Sequence, residues 1–507
     1  MVGASIAAGL ALLAGWVGHA QLSRTDAYLE QERRQQVRRV ALPPTRGLIL
    51  DRNGRVLAED RPDAGPARHG VYRAYPYGSL AAHVLGHVGL ARVVVPGGAE
   101  DRALRIDLPS GRAGIEKAFD AVLAGRPGYL RSRFDAEGRP VGEPLETVAP
   151  ERGRDVVLSL DLDLQQAAEQ ALGASRAPRG AVVCLSVQTG EVLALASKPT
   201  YDLNALTRGL AEEARARVEA EGAWLNRATQ GLYPPGSSFK IYTLAAAMRA
   251  GALNPRARID CAGWRMIGGR RFACHRPEGH GLVPLRDSLA QSCNVFAYAA
   301  GLGAGPSALE AEARRFHFDT PTGLNLPGET RQMLVPGPAW LNARQGAAWG
   351  EIDTANLAIG QGFLRVTPLQ AAAALASLAR GETRTVPTLL HEPSRAPSGA
   401  LPPEPLGLDA PAVAALRDAM EAVVAVGIGR EAQVPGVRMA GKTGTAQITR
   451  PEGSVNIAWF VAFAPVEKPE IALAVALEAP EVGVEFAGAE HAAPVVSELA
   501  AAYFDHR

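Results

Sequence analysis

Tyr233 to Lys240 reads YPPGSSFK and runs straight into IYTLAAAMRAG, an apolar stretch with helical periodicity. Ser237 and Lys240 stand three positions apart, so a helix opening here carries both on one face. A serine hydroxyl is a poor nucleophile until a base takes its proton, and a desolvated lysine amine can be that base. Taken alone, the pair fits equally an N-cap serine followed by a surface lysine.

The composition gives Lys240 more weight. The chain has 507 residues, with 53 Lys+Arg against 52 Asp+Glu and a net charge of +1. Only Lys117, Lys198, Lys240, Lys442 and Lys468 are lysines; the other basic residues are arginines. Arg supplies charge but cannot deprotonate, so a chemical role for a lysine here points to a neutral amine. A balanced charge gives no electrostatic ground for a nucleic-acid partner. With 47% hydrophobic and 21% charged residues the chain is neither disordered nor a polytopic membrane protein. Its length suffices for several domains without a disulfide scaffold.

Two more segments complete a pattern. Ser292-Cys293-Asn294 lies in LAQSCNVFAYAAG, and Lys442-Thr443-Gly444-Thr445 lies in RMAGKTGTAQ. S-x-x-K, S-x-N and K-T-G in that order mark serine enzymes that react with penicillin. Ser237 attacks a carbonyl and becomes acylated, with Lys240 as base. The Lys240 pKa should be lowered by burial and by the second ammonium of Lys442. Ser292 can relay a proton to the leaving amine, and Asn294 can donate to Lys240 and to a substrate amide. Lys442 and Thr443 can hold a carboxylate, and Gly444 leaves space for a substrate backbone along its strand. The N–H groups of Ser237 and Thr445 form an oxyanion hole, each donor worth about 2.7–4 kcal/mol.

Outward from these motifs, Val2 to Ala20 holds no carboxylate, Lys or Arg, a length that just crosses a bilayer. An uncleaved anchor is the preferred reading over a signal peptide cut after Gly18-His19-Ala20. Asp26 to Val40 reads as a charged linker helix closed by Pro43-Pro44. Arg46 to Asp60 gives two β-rich runs around Asn53-Gly54, a type I′ hairpin signal, with Arg61 to Gly70 as loop. Strand-to-helix alternation begins at Asp155, so a domain boundary is expected near 152.

Cys261, Cys274, His280 and Cys293 are spaced 13, 6 and 13 apart. Three thiolates and an imidazole suit a tetrahedral structural zinc, with His275 as alternate imidazole. A Cys261–Cys274 disulfide and three buried free thiols are the competing readings. Cys184, in AVVCLSV, reads as a buried small hydrophobe.

With these motifs, the chain resembles the class B penicillin-binding proteins, monofunctional peptidoglycan transpeptidases. RGLILDRNGRVLA, YPYGSLAAHVLGHVG, GIEKAFDAVLAGRPG, NRATQGLYPPGSSFK, WGEIDTANLAIGQGFLRVTPLQ and AWFVAFAP carry the likeness along nearly the whole chain. CAGWRMIGG, Gly279-His280-Gly281 and the IGQG block resemble its elongation-specific branch. The resemblance implies an α+β penicillin-binding transpeptidase fold, an antiparallel sheet flanked by helices, after a membrane anchor and a small mixed pedestal domain. The expected domains are an anchor at 1–22, a pedestal at 23–151 and a transpeptidase domain at 152–507. Relatives insert a head subdomain before the YPYG block, where this chain has only about a dozen residues.

It further implies a D-alanyl-D-alanine stem peptide or lipid-linked precursor as substrate, with D-alanine released and a neighbouring stem amine as acceptor. β-Lactams acylate Ser237 as mimics, and a SEDS-family glycan polymerase is the implied membrane partner. No cofactor is required for catalysis. The implied location is the bacterial inner membrane, single-pass, with the catalytic domain in the periplasm. The alternatives are a septal transpeptidase of the same chemistry, a β-lactam sensor and a β-lactamase. A sensor needs a cytoplasmic signalling domain, which the sequence is not expected to supply. The anchor and the pedestal argue against a β-lactamase.

Overall fold

In the computed structural model, residues 2–23, 37–62, 71–95, 104–135, 137–207, 212–391 and 404–505 are described. Helix α1 (Val2–Ser23) is exposed along its apolar length and is long enough to cross a membrane.

Nine short strands build the pedestal: β1 (Val37–Leu42), β2 (Ile49–Leu50), β3 (Val56–Pro62), β4 (Val71–Ala74), β5 (Val88–Val95), β6 (Leu104–Gly111), β7 (Gly128–Phe134), β8 (Pro140–Val148) and β9 (Val156–Val157). They form a sheet β1-β7-β8, a sheet β4-β3-β2-β9 and a hairpin β5–β6. Three expectations are corrected here. Val37 to Val40, expected in a helix, are strand, because β7 supplies the ladder and aromatic faces for the arginines. Arg39 stacks 3.6 Å from the Tyr129 ring centre, and Arg38 lies 5.9 Å from that of Phe134. Residues 26–36 of that stretch lie outside the described residues. The turn at Asn53-Gly54 is not type I′, which needs positive φ at both central residues; only Gly54 has it, at 82°. The Asp51 carboxylate sets the turn instead, accepting the Asn53 and Arg55 N–H groups at 2.9 and 2.8 Å. Arg61 and Pro62 extend β3 opposite Tyr72 and Val71; residues 63–70, the rest of the expected loop, lie outside the described residues.

The pedestal core is partly ionic. Glu116 is fully buried and accepts from Arg46 Nε at 2.7 Å and Arg73 Nε at 2.6 Å. Burying that carboxylate costs several kcal/mol unless such partners surround it. β9 pairs in parallel with β2, so the chain leaves the pedestal after Val157 rather than at 152. Asn204 then clasps the seam, its side chain accepting from Tyr75 N at 2.9 Å and donating to Tyr75 O at 2.8 Å.

The second unit is built on strands β10 (Arg179–Ser186), β11 (Val192–Lys198), β12 (Arg258–Cys261), β13 (Trp264–Ile267), β14 (Arg270–Ala273), β15 (Gly281–Pro284), β16 (Ala440–Arg450), β17 (Gly453–Ala464) and β18 (Ile471–Glu478). Five make an antiparallel sheet ordered β11-β10-β18-β17-β16. The middle strands, such as IALAVALE in β18, are apolar without alternation because helices cover both faces. Helices α2 (Leu162–Ala174) and α7 (Gly488–Asp505) pack on one face. On the other lie α3 (Lys240–Arg249) and α6 (Pro368–Arg380), with α4 (Leu285–Ala290) and α5 (Asn294–Ala304) nearby. α6 is PLQAAAALASLAR, small enough in side chain to be buried nearly all round. Thr367 and Gln370 form its capping box and Gly381, at φ 77°, ends it. The expected helix–sheet–helix layering is present, and β16 with its K-T-G segment is an edge strand.

Candidate active site

The three motifs converge on one cleft. Gly236–Phe239 is a 3-10 turn running directly into α3, which sets Lys240 one turn after Ser237. From Tyr233 to Lys240 every residue is buried except Ser237, which is half-buried.

Lys240 is 2% exposed, and its Nζ donates to Ser292 O at 2.7 Å, Ser292 Oγ at 3.2 Å and Asn294 Oδ1 at 2.6 Å. Asn294 was expected to donate to Lys240; it accepts instead, because an ammonium has no acceptor to offer. Its amide Nδ2 is left for other carbonyls and reaches Ala273 O at 3.4 Å. Ser292 joins α4 to α5 at φ 53°, left-handed and strained for a residue with a side chain. Cys293 N donating to Ser288 O at 2.7 Å and Cys293 Sγ capping α5 hold that turn.

Burial lowers the Lys240 pKa to about 8, and the nearby Cys293 and Cys274 sulfurs pull it partly back. The expected influence of Lys442 on Lys240 falls the other way. Burial, and then the Lys240 charge, push Lys442 well below the ordinary lysine range. Among the described residues Lys442 has only the Thr443 oxygens for support, O and Oγ1 both at 3.2 Å, whereas Lys240 has three acceptors.

Gly444 pairs with Trp459 of β17. A Cβ on Gly444 would stand 2.8 Å from Pro235 O and 3.3 Å from Ser238 N. The bare position expected to serve a substrate backbone thus serves first to seat the Ser237 turn against β16. Thr445 is exposed, and its carbonyl accepts from Gln361 Nε2 at 3.4 Å, so it faces the cleft and not β17.

Sequence reading missed three residues that hold this arrangement. Trp459 Nε1 donates to Pro234 O at 3.0 Å, fixing the approach to the Ser237 turn. Tyr233 OH donates at 2.8 Å to buried Glu478, which also holds Arg450 at the far end of β16. A Cβ on Gly488, at the start of α7, would stand 2.3 Å from Gly444 O and 2.2 Å from Trp459 O, so α7 rests directly on the K-T-G strand. AWFVAFAP and YPPG contain two of them, but only pairing across the sheet shows what they touch.

Cys261, Cys274, His280 and Cys293 come together, one ligand atom of each lying within 4.8 Å of all the others. Cys261 Sγ and Cys274 Sγ stand 3.5 and 3.6 Å from His280 Nδ1. A tetrahedron with Zn–S about 2.3 Å and Zn–N about 2.1 Å has an S···N edge of about 3.6 Å. All four cysteines are free thiols, so the Cys261–Cys274 disulfide is not formed. His275 is exposed and outside the group. β12 and β15 supply Cys261 and His280 from adjacent strand ends, where His280 N donates to Cys261 O at 2.9 Å. Asn294 N donates to Cys274 Sγ at 3.3 Å, binding the cluster to the S-x-N turn.

Comparison with known proteins agrees with this geometry. The profile described as penicillin binding protein transpeptidase domain matches residues 180–501, and that of the penicillin-binding protein dimerisation domain matches residues 67–158. Peptidoglycan D,D-transpeptidase MrdA of Acinetobacter baumannii is 33% identical over 437 residues, 80% of this chain and 63% of that protein. MrdA of Escherichia coli K12 is 34% identical over 328 residues, 63% of this chain and 51% of its own length. The match thus spans between about half and two thirds of these longer relatives. Among solved structures, Pseudomonas aeruginosa PBP2 in complex with WCK 5153 superposes with a TM-score of 0.75 at 32% identity, covering 91% of this chain and 96% of that one. A peptidoglycan synthase complex, described for its coordination of polymerization and crosslinking, gives 0.76 at 27% identity, covering 100% and 98%.

Proposed function

Since the chain belongs to the penicillin-binding protein transpeptidase family, we propose that it is a peptidoglycan D,D-transpeptidase of cell-wall elongation, anchored in the bacterial inner membrane by α1. One observation carries the reading: Ser237, the one residue only half-buried in an otherwise buried turn, stands one helical turn from an amine held by Ser292 and Asn294. The donor is a stem peptide ending in D-alanyl-D-alanine. Its terminal carboxylate lies toward Lys442 and Thr443, where an arriving anion favours the protonated form of Lys442.

Neutral Lys240 takes the Ser237 proton as Oγ attacks the penultimate carbonyl. The N–H groups of Ser237 and Thr445 receive the oxyanion. The proton passes through Ser292 Oγ to the departing D-alanine amine, leaving the acyl-enzyme. A neighbouring stem amine then attacks, gives its proton back along the same path, and forms the cross-link with Ser237 restored. A β-lactam enters by the first half of this sequence and remains on Ser237. Elongation is favoured by the MrdA relatives and the PBP2 structure, and a glycan polymerase in the membrane is the fitting partner. Purified protein given lipid-linked precursor and a polymerase should form stem dimers that penicillin blocks, and depleted host cells should round up. Filaments in place of spheres would reassign the protein to division.

The Cys/His cluster fits a structural zinc held by Cys261, Cys274, His280 and Cys293. The ion supplies no chemistry to acyl transfer; it ties β12, β15 and the S-x-N turn together. Mass spectrometry of the native full chain should show one zinc per molecule. Stripping it should lower the melting temperature and slow acylation by about tenfold or more, as the loss of a supporting shell does. A purified protein without zinc and with intact penicillin reactivity ends this assignment.

A further inference from the structure

The hairpin β13–β14 springs from between Cys261 and Cys274 and has two different faces. Ile267 and Phe272 point inward, Ile267 packing with Tyr298 and Ala355 while the Phe272 and Tyr298 rings meet edge-on at 5.6 Å. The other face carries Trp264, Met266 and Arg271, with Met266 directly opposite Arg271. Trp264 is 38% and Met266 54% exposed, and the Arg271 guanidinium lies 4.8 Å from the indole centre. Arg271 is exposed and has no carboxylate partner among the described residues, whereas Arg265 and Arg270 belong to the side of Phe272 and Ile267. Glu351, whose carboxylate touches the hairpin, is taken by the Gly268 N–H at 3.0 Å. The hairpin adjoins the catalytic site, since the Ala273 carbonyl at its end accepts from Asn294 Nδ2 at 3.4 Å and from Tyr298 OH at 3.5 Å.

We propose that this Trp264–Met266–Arg271 face is a binding platform for the carboxylate-bearing part of the stem peptide upstream of the scissile bond. The proposal rests on the transpeptidase reading above. An exposed indole and thioether beside a cleft are costly to hydrate and favour the apolar stem of a ligand. A guanidinium stacked on the indole is already oriented, and its N–H edge stays free for a carboxylate. Arg271, without a carboxylate of its own, suits an anionic peptide and repels a cationic one. A small β-lactam carries no upstream stem carboxylates, so the platform separates peptide substrate from drug.

The test uses the full chain in detergent, as wild type, Trp264→Ala and Arg271→Ala. Binding of a fluorescent pentapeptide ending in D-Ala-D-Ala is followed by anisotropy, alongside the rate of penicillin acylation. Each variant should weaken peptide binding about tenfold, the scale of a lost charge-assisted or stacking contact, while acylation stays within about twofold. The same peptide with its upstream carboxylates amidated should bind wild type as weakly as Arg271→Ala binds the parent. Unchanged affinity, indifference to amidation, or acylation falling in step with affinity overturns the platform. Wild type that binds peptide through Trp264 and Arg271 yet fails to react with penicillin overturns the transpeptidase reading and leaves the platform standing.

Discussion

Ser237→Ala is expected to abolish covalent labelling by a fluorescent penicillin and leave the fold intact. Ser237 is the one residue of its turn that is not fully buried, and a lost hydroxyl is small, so losing Oγ opens no sizeable core cavity. The melting temperature should move by no more than a few degrees. The chemistry has no substitute. Ser238, next along, is buried and donates to Pro235 O at 2.7 Å, and Ser292 is 6% exposed behind Lys240. Removing the nucleophile of a serine enzyme costs on the order of 10⁶-fold in rate, which puts labelling below detection. A labelled band surviving in the variant would move the nucleophile elsewhere and dissolve the assignment of the cleft.

Lys240→Arg should be almost as damaging as Lys240→Ala, each slowing acylation by about 10²–10⁴-fold, the range of general base catalysis. Arg keeps the charge and could still meet Ser292 and Asn294, but it cannot give up a proton. The pH profile separates base from mere counter-charge. With the Lys240 pKa near 8, the neutral amine is the minor form at pH 7 and dominates above 8. Wild-type acylation should therefore fall about tenfold per unit as pH drops below 8, and level off above it. In the Arg variant that limb should vanish. Near wild-type acylation by Lys240→Arg, or a wild-type profile flat across pH 8, would refute the neutral-amine step.

The site was legible in the sequence because three short motifs each carry residues with few other uses. Lysine scarcity singled out Lys240 and Lys442 before any geometry was known. The layered fold was legible through the same motifs and the continuous apolar strands. Less legible were features decided by partners distant in the chain. Val37 to Val40 read as helix because nothing local announces β7, which arrives some ninety residues later. Gly444 was read as making way for substrate, when the Pro235 carbonyl is what occupies that space. The direction of the Asn294–Lys240 bond and the burden of the shared charge on Lys442 follow from how many acceptors each amine finds. The cysteine spacing gave the composition of the cluster. Its shape needed β12 to lie beside β15.

The strand order of the large sheet also sets a timetable for biogenesis. β10 finds its neighbour β18 only after nearly 300 further residues, and β16 is braced by a helix beginning at Gly488. A nascent chain that has already delivered Ser237 still lacks β16 beside it and has an unsupported sheet. Long-range pairing of this kind forms late and slowly. The cleft beside Ser237 is therefore complete only once the last helix has been made and has closed over the edge strand.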